Sequence, residues 1–163
     1  MPERKILRGR TDVTNRLIAL LDEAGAEYRL VEHDPVFTSE EAAEVRGTAL
    51  EEGAKALVVK ADEKYYNLVI SAAKRVDNAK LRSILNTRRV RFARPEELHE
   101  LTGCWPGAVP PFGQLFDLPT LLDESLADKS QASFNAGSHT VSVVMPGEDF
   151  RRALDARGED FAE

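Results

Sequence analysis

The stretch Gly103-Cys104-Trp105-Pro106-Gly107-Ala108-Val109-Pro110-Pro111-Phe112-Gly113 constrains the fold more than any other. It carries three glycines, three prolines and the only Trp and Cys of the chain. Neither a regular helix nor a strand tolerates Gly and Pro at that spacing. The segment is nonetheless apolar, since Trp105, Val109 and Phe112 are costly to leave in water. Two readings are open. One is a structural turn stapled to the core by Trp105 and Phe112. The other is a stiff pocket wall in which the backbone N–H groups of Gly107, Ala108 and Val109 form a nest for an anion or a carbonyl oxygen.

Around this loop the chain mixes helices and strands. Apolar spacing predicts a helix from Thr11 to Ala24, with Gly25 at its C-cap. A short strand over Glu27–His33 ends at Asp34-Pro35. Thr38 and Glu41 stand at capping-box spacing, opening a helix that stops near Gly47. Ala54–Lys60 and Tyr65–Ile70 read as a hairpin, the first strand central because both its faces are apolar. Lys55 shares a face with Leu57 and Val59. It must snorkel out, find a counter-charge or serve a ligand. Asp77 caps a helix ending at Asn86, Arg89–Ala93 reads as a strand, and Pro95 starts a helix leading into the loop. Beyond the loop, Gln114–Asp117, Thr120–Asp123, Gln131–Asn135 and His139–Met145 read as strands. Glu148–Ala156 forms a last helix, ended by Arg157-Gly158, with an acidic tail behind it. Strict βαβ alternation is absent. The expected fold is α+β with a mixed or antiparallel central sheet, in one domain spanning 1–163 with its core over about 11–157.

With 163 residues, 42% of them apolar and 31% charged, the composition is that of an ordinary soluble domain. The charged start leads into no signal-peptide core, so a cytoplasmic protein is expected. One cysteine excludes an internal disulfide and a thiolate-rich metal site. His33, His99 and His139 lie far apart, so neither a metal nor another cofactor is expected. The net charge of −6 argues against indiscriminate nucleic-acid binding. Membranes and DNA are not expected partners. Yet Lys74 to Arg94 holds eight basic residues against the single acid Asp77, and Arg4, Lys5, Arg8 and Arg10 form a smaller basic cluster. The long basic run is either a solvated face or a phosphate-contacting patch built on Lys74, Arg75, Arg88, Arg89 and Arg91.

Several motifs in order carry a resemblance. They are Glu32-His33-Asp34-Pro35-Val36-Phe37-Thr38, the strand with Lys55, Ser71-Ala72-Ala73-Lys74-Arg75-Val76-Asp77 and Phe92-Ala93-Arg94-Pro95-Glu96-Glu97-Leu98. Leu101 to Gly113 and Phe134-Asn135-Ala136-Gly137 complete them. With these, the chain resembles the YbaK family of aminoacyl-tRNA deacylases, also called prolyl-tRNA synthetase-associated editing domains, from about Leu17 to about Leu154. The resemblance implies an α+β domain with a mixed, partly barrel-like sheet. It implies hydrolysis of the ester of a mischarged tRNA, mostly tRNA for proline, by a stand-alone enzyme. Aminoacyl-tRNA would then be the partner, together with an aminoacyl-tRNA synthetase as a further one.

The family's lysine carries over to Lys55 and its Gly-x-x-x-Pro loop to Gly107, Ala108, Val109, Pro110 and Pro111. His33, Thr38, Ala56, Asn135 and Gly137 complete the expected substrate-binding set. In the alanine-removing branch, Asn commonly follows the lysine and His stands where Asn135 stands here. Ala56 and Asn135 therefore change pocket size and polarity. Alanine, cysteine, serine and threonine are all open as the amino acid removed. The resemblance also implies that a substrate ribose hydroxyl helps activate water, so no general base is assigned. Two other readings stand beside editing: a non-catalytic tRNA- or synthetase-binding module, and a binder of a free amino acid or its analogue.

Overall fold

The computed structural model describes residues 9–163. The expected basic cluster at Arg4, Lys5 and Arg8 lies outside them; Arg10 lies within.

Local signals set the first half of the chain. Thr11 caps α1 (Asp12–Glu23) by accepting from the Thr14 amide. After β1 (Arg29–Glu32), Thr38 and Glu41 form the expected capping box at the start of α2 (Ser39–Arg46). A two-residue turn with Asp62 in the left-handed region (φ 54°) joins β2 (Ala54–Ala61) to β3 (Lys64–Ser71). Asp77 caps α3 (Asn78–Leu85), accepting from the Ala79 and Lys80 amides. Then come β4 (Val90–Phe92) and α4 (Pro95–Thr102), the latter with Pro95 in its first turn.

The second half departs further from expectation. Gln114–Asp117 is not a strand; Gly113–Phe116 forms a 3-10 turn, closed by the Leu118 N–H on the Gly113 carbonyl. The strands β5 (Thr120–Asp123), β6 (Gln131–Asn135) and β7 (Val141–Pro146) and the helix α5 (Gly147–Ala153) follow. Arg157-Gly158 does not end the last helix, which stops at Ala153 and not at the expected Ala156. The pair belongs to a strand, β8 (Arg157–Glu159), paired parallel to β5. The acidic tail is likewise anchored, with Phe161 fully buried. The buried Asp123 carboxylate accepts from the Ser125, Phe161 and Ala162 amides.

The strands form a mixed five-stranded sheet, β4-β2-β3-β5-β8, and an antiparallel three-stranded sheet, β1-β7-β6. Central placement of β2 is as its two apolar faces predict. The sheets meet at an isolated bridge between Gly53 and Ser133 but close no barrel. The main core packs Leu17 and Leu21 of α1 against Phe112, Phe134 and Phe150, whose rings lie 5.5–5.8 Å apart. Among the described residues no helix is long and apolar enough to cross a membrane.

Candidate active site

A cavity of about 240 Å³ opens where the two sheets meet. The first residues of β2 form one wall, the end of β6 another, the first turn of α2 a third, and Pro106-Gly107 of the Gly/Pro loop the fourth. Lys55, Ala56, Thr38, Asn135 and Gly107, all expected from the sequence, line it together. Lys55 is half-buried, and its side chain forms no hydrogen bond or ion pair among the described residues. Burial, and then the charge of Arg75, make its ammonium easier to deprotonate than an ordinary lysine; the charge of Glu40 opposes them. The Thr38 hydroxyl sits at the cavity but is occupied as the α2 cap, accepting the Glu41 N–H at 3.1 Å.

The loop is part wall and part core. Gly107 takes φ 88°, and a Cβ there would stand 3.3 Å from the His139 ring, so glycine is required. Ala108 and Val109 do not reach the cavity; they pack with Val13, Val58, Leu98 and Leu118. The expected nest of three free amides does not form, because the Ala108 N–H donates to the Trp105 carbonyl at 3.0 Å. Pro110 and Pro111 are buried as well, and the Pro111 carbonyl accepts from Asn67 Nδ2. Apolar burial pulls these four residues inward. Gly137 is also away from the cavity, where a Cβ would meet Val13 at 2.9 Å. Trp105 does not staple the loop; it is 51% exposed and stacks on His99 at 4.1 Å. Phe112 does, being fully buried.

Sequence reasoning missed Arg46, Phe37 and His139, all of which line the cavity. Arg46 is only 8% exposed. Its Nε donates to Ser142 Oγ at 2.9 Å, Nη2 to Asn135 Oδ1 at 2.9 Å and Nη1 to Ser133 Oγ at 3.4 Å. It has no carboxylate partner among the described residues, and burial brings its pKa down to about 10. Asn135 Nδ2 then donates to the Gly107 carbonyl at 2.7 Å, so one amide links the buried guanidinium to the loop. His33 stands behind this network, with Nε2 2.8 Å from Ser142 Oγ, and does not line the cavity. Arg46 is the last residue of a short helix, and only contacts across the two sheets reveal its role. No pattern in the sequence signals it.

The basic run divides. Lys74 and Arg75 are exposed in the turn after β3, with Arg75 close enough to influence Lys55. Arg88 and Arg89 are exposed at the other end of the sheet, where the Arg89 carbonyl accepts from Asp62. Lys55 and Asp62 are seven residue steps apart along the strand, about 23 Å. Arg91 is engaged by Glu97 through two hydrogen bonds of 2.7 and 3.0 Å, so it is not a free phosphate contact.

Among the described residues no group of three or more His, Cys, Asp or Glu could hold a metal ion. Cys104 is buried in the same apolar cluster as Ala108 and Val109, and burial pushes its thiol pKa up, the reverse of a nucleophile. The site therefore offers two cations, a locked amide and a rigid loop, arranged to hold oxygen atoms.

A family model described as aminoacyl-tRNA editing domain matches residues 33–153. The chain belongs to the aminoacyl-tRNA editing domain family. The Multifunctional Ser/Thr-tRNA deacylase ProXp-y of Escherichia coli K12 is 39% identical over 142 residues, covering 84% of this chain and 85% of that protein. The Prolyl-tRNA editing protein ProX of Acetoanaerobium sticklandii is 28% identical over 156 residues, covering 92% and 95%. A crystal structure described as a candidate trans-editing enzyme for prolyl-tRNA synthetase superposes with a TM-score of 0.83 at 27% identity, covering 94% of this chain and 98% of that one. The matched segment of this editing-domain chain contains every cavity-lining residue named above.

Proposed function

We propose that this chain is a stand-alone deacylase of mischarged aminoacyl-tRNA, with seryl and threonyl esters on tRNA for proline as its preferred substrates. The observation that carries this reading is Lys55: a half-buried ammonium without an ion pair, facing a small cavity that also holds Arg46, Asn135 and Gly107. Relatives named as a Ser/Thr-tRNA deacylase and a prolyl-tRNA editing protein support it. The cavity of about 240 Å³ lies below the roughly 300–1,000 Å³ of a pocket for a drug-sized ligand. Its volume suits a small amino-acid side chain. Ser39, and the O–H that Thr38 keeps while accepting the Glu41 N–H, suit a hydroxyl group, and a site that bonds a hydroxyl discriminates strongly against analogues lacking it.

In the reaction, water adds to the ester carbonyl carbon and negative charge develops on its oxygen. Lys55 and Arg46 supply positive charge toward the substrate oxygens. Asn135 keeps the Gly107 loop at a fixed distance from Arg46, so the substrate is positioned rather than attacked by the protein. The ester C–O bond then breaks. The ribose oxygen takes up a proton, and free amino acid and uncharged tRNA leave. A ribose hydroxyl of the substrate assists the water; the Thr38 hydroxyl at the cavity is engaged as a helix cap and the Cys104 thiol lies in the core. Lys74 and Arg75 are the nearer phosphate contacts; Arg88 and Arg89 reach a more distant part of the tRNA. We read the chain as one editing domain acting in the cytoplasm, with a synthetase as a further partner.

The test is deacylation of tRNA for proline charged with Ser, Thr, Ala or Cys, wild type beside Lys55→Ala. Ser and Thr esters should turn over, and Lys55→Ala should lower kcat/KM by at least about 100-fold with an unchanged melting temperature. No turnover of any ester while tRNA still binds would instead favour the binding-module reading.

A further inference from the structure

We infer that Phe37 and His139 form a stacking platform at the cavity mouth for the nucleobase of the terminal nucleoside, the adenine at the 3′ end of tRNA. The inference deepens the editing reading and rests on it for the identity of the ligand. Phe37 is 79% exposed, the most exposed of the large apolar side chains among the described residues. A residue just before a helix N-cap ordinarily packs against the fourth helical residue. That residue here is Ala42, which is buried while Phe37 is not. The phenyl ring instead lies 5.7 Å from the His139 ring, tilted by 30°, and both rings line the cavity.

The His139 ring and the backbone leading into Phe37 are both anchored. His139 Nε2 is held by the Pro106 carbonyl at 2.9 Å, and the His139 carbonyl accepts the Val36 N–H at 3.2 Å. The residue before Phe37 is thus tied to His139 itself. Size then places the base. A cavity of about 240 Å³ takes an aminoacyl group but leaves no room for a purine nucleoside beside it. The base must lie at the rim, where the exposed ring is. Proteins that bind single-stranded RNA ends offer aromatic faces to splayed bases in this way, and the contact tolerates any base because each has a π face.

The experiment uses the full chain and the trinucleotide cytidylyl-cytidylyl-adenosine as probe, against the same trinucleotide with an abasic 3′ sugar. Titration is followed by NMR for wild type, Phe37→Ala and Phe37→Trp. Phe37→Ala should weaken binding of the intact probe about 10-fold, and removal of the base should weaken wild-type binding by a similar factor. The two changes together should cost no more than either alone, and Phe37→Trp should restore affinity. Independent, multiplying effects, or intact affinity in Phe37→Ala, would overturn the platform and favour a docking role for Phe37 toward a protein. The editing reading fails separately. If no ester is cleaved yet Phe37 and the base remain coupled, the platform stands and the editing assignment falls. If esters are cleaved without that coupling, the reverse holds.

Discussion

Arg46 and Arg91 are both held by two or more hydrogen bonds, yet their surroundings are opposite. Arg46 lies buried beside the cavity with only neutral partners, Ser142, Ser133 and Asn135. Arg91 lies exposed and paired in a fork with Glu97, which also accepts from Tyr65 and Arg94. Burial lowers the pKa of the first to about 10. The Glu97 hydrogen bond raises that of the second. A lowering of that size opposes the charged form of Arg46 by on the order of 3 kcal/mol. Hydrogen bonds from a charged donor, about 1.5–3 kcal/mol each, offset it. Three such bonds together exceed that penalty, so Arg46 holds the junction of α2, β6 and β7 as well as placing positive charge at the cavity. Arg91 is neutralised and solvated, so its charge serves the local fold and does little beyond it.

That contrast can be broken most sharply at Arg46. Arg46→Met should lower kcat/KM by about 100-fold or more and also lower the melting temperature, because Ser133, Ser142 and Asn135 lose a buried donor. Steady-state deacylation beside thermal unfolding checks both. Retained activity would make Arg46 a purely structural residue and erase the distinction. Arg91→Ala should do far less: kcat/KM within about two-fold of wild type and a small fall in melting temperature, as for other exposed pairs. A large loss of tRNA affinity in this variant would return Arg91 to the phosphate-binding set.

The smallest effect is a matter of pH. Arg91 first, then Tyr65, hold the Glu97 carboxyl well below the usual carboxylate range. The stability it contributes is therefore complete above the unfolded value of about 4.3 and is lost as pH falls below that toward its folded value. The stability difference between wild type and Glu97→Gln should be flat from neutral pH to about 4.3 and shrink below it. Acid unfolding curves of the two proteins measure this.

Much of the fold was legible because its signals are local. Thr11, Thr38 and Asp77 cap the helices that their spacing predicts, and the β2–β3 hairpin follows its alternation. Lys55 stood out for the same reason, as a charge on an apolar strand face. The end of the chain was illegible because its order comes from residues far away. β8 exists through parallel pairing with β5, and the tail is buried because amides of Phe161 and Ala162 find the Asp123 carboxylate. Neither partner is marked in the short acidic sequence itself.

The Gly/Pro loop shows the boundary between the two kinds of information. Composition determined that residues 103–113 would be a stiff, apolar connection, since proline and glycine restrict the backbone whatever surrounds them. Which of its residues face the substrate was decided by packing. Ala108 and Val109 turn into the core against α1, β2 and α4, leaving Gly107 at the cavity beside His139. Arg46 lies wholly on the tertiary side of that boundary. Its environment is made by Ser133, Asn135 and Ser142, nearly a hundred residues away. Burial and hydrogen bonding depend on the assembled sheets, and no local spacing encodes them.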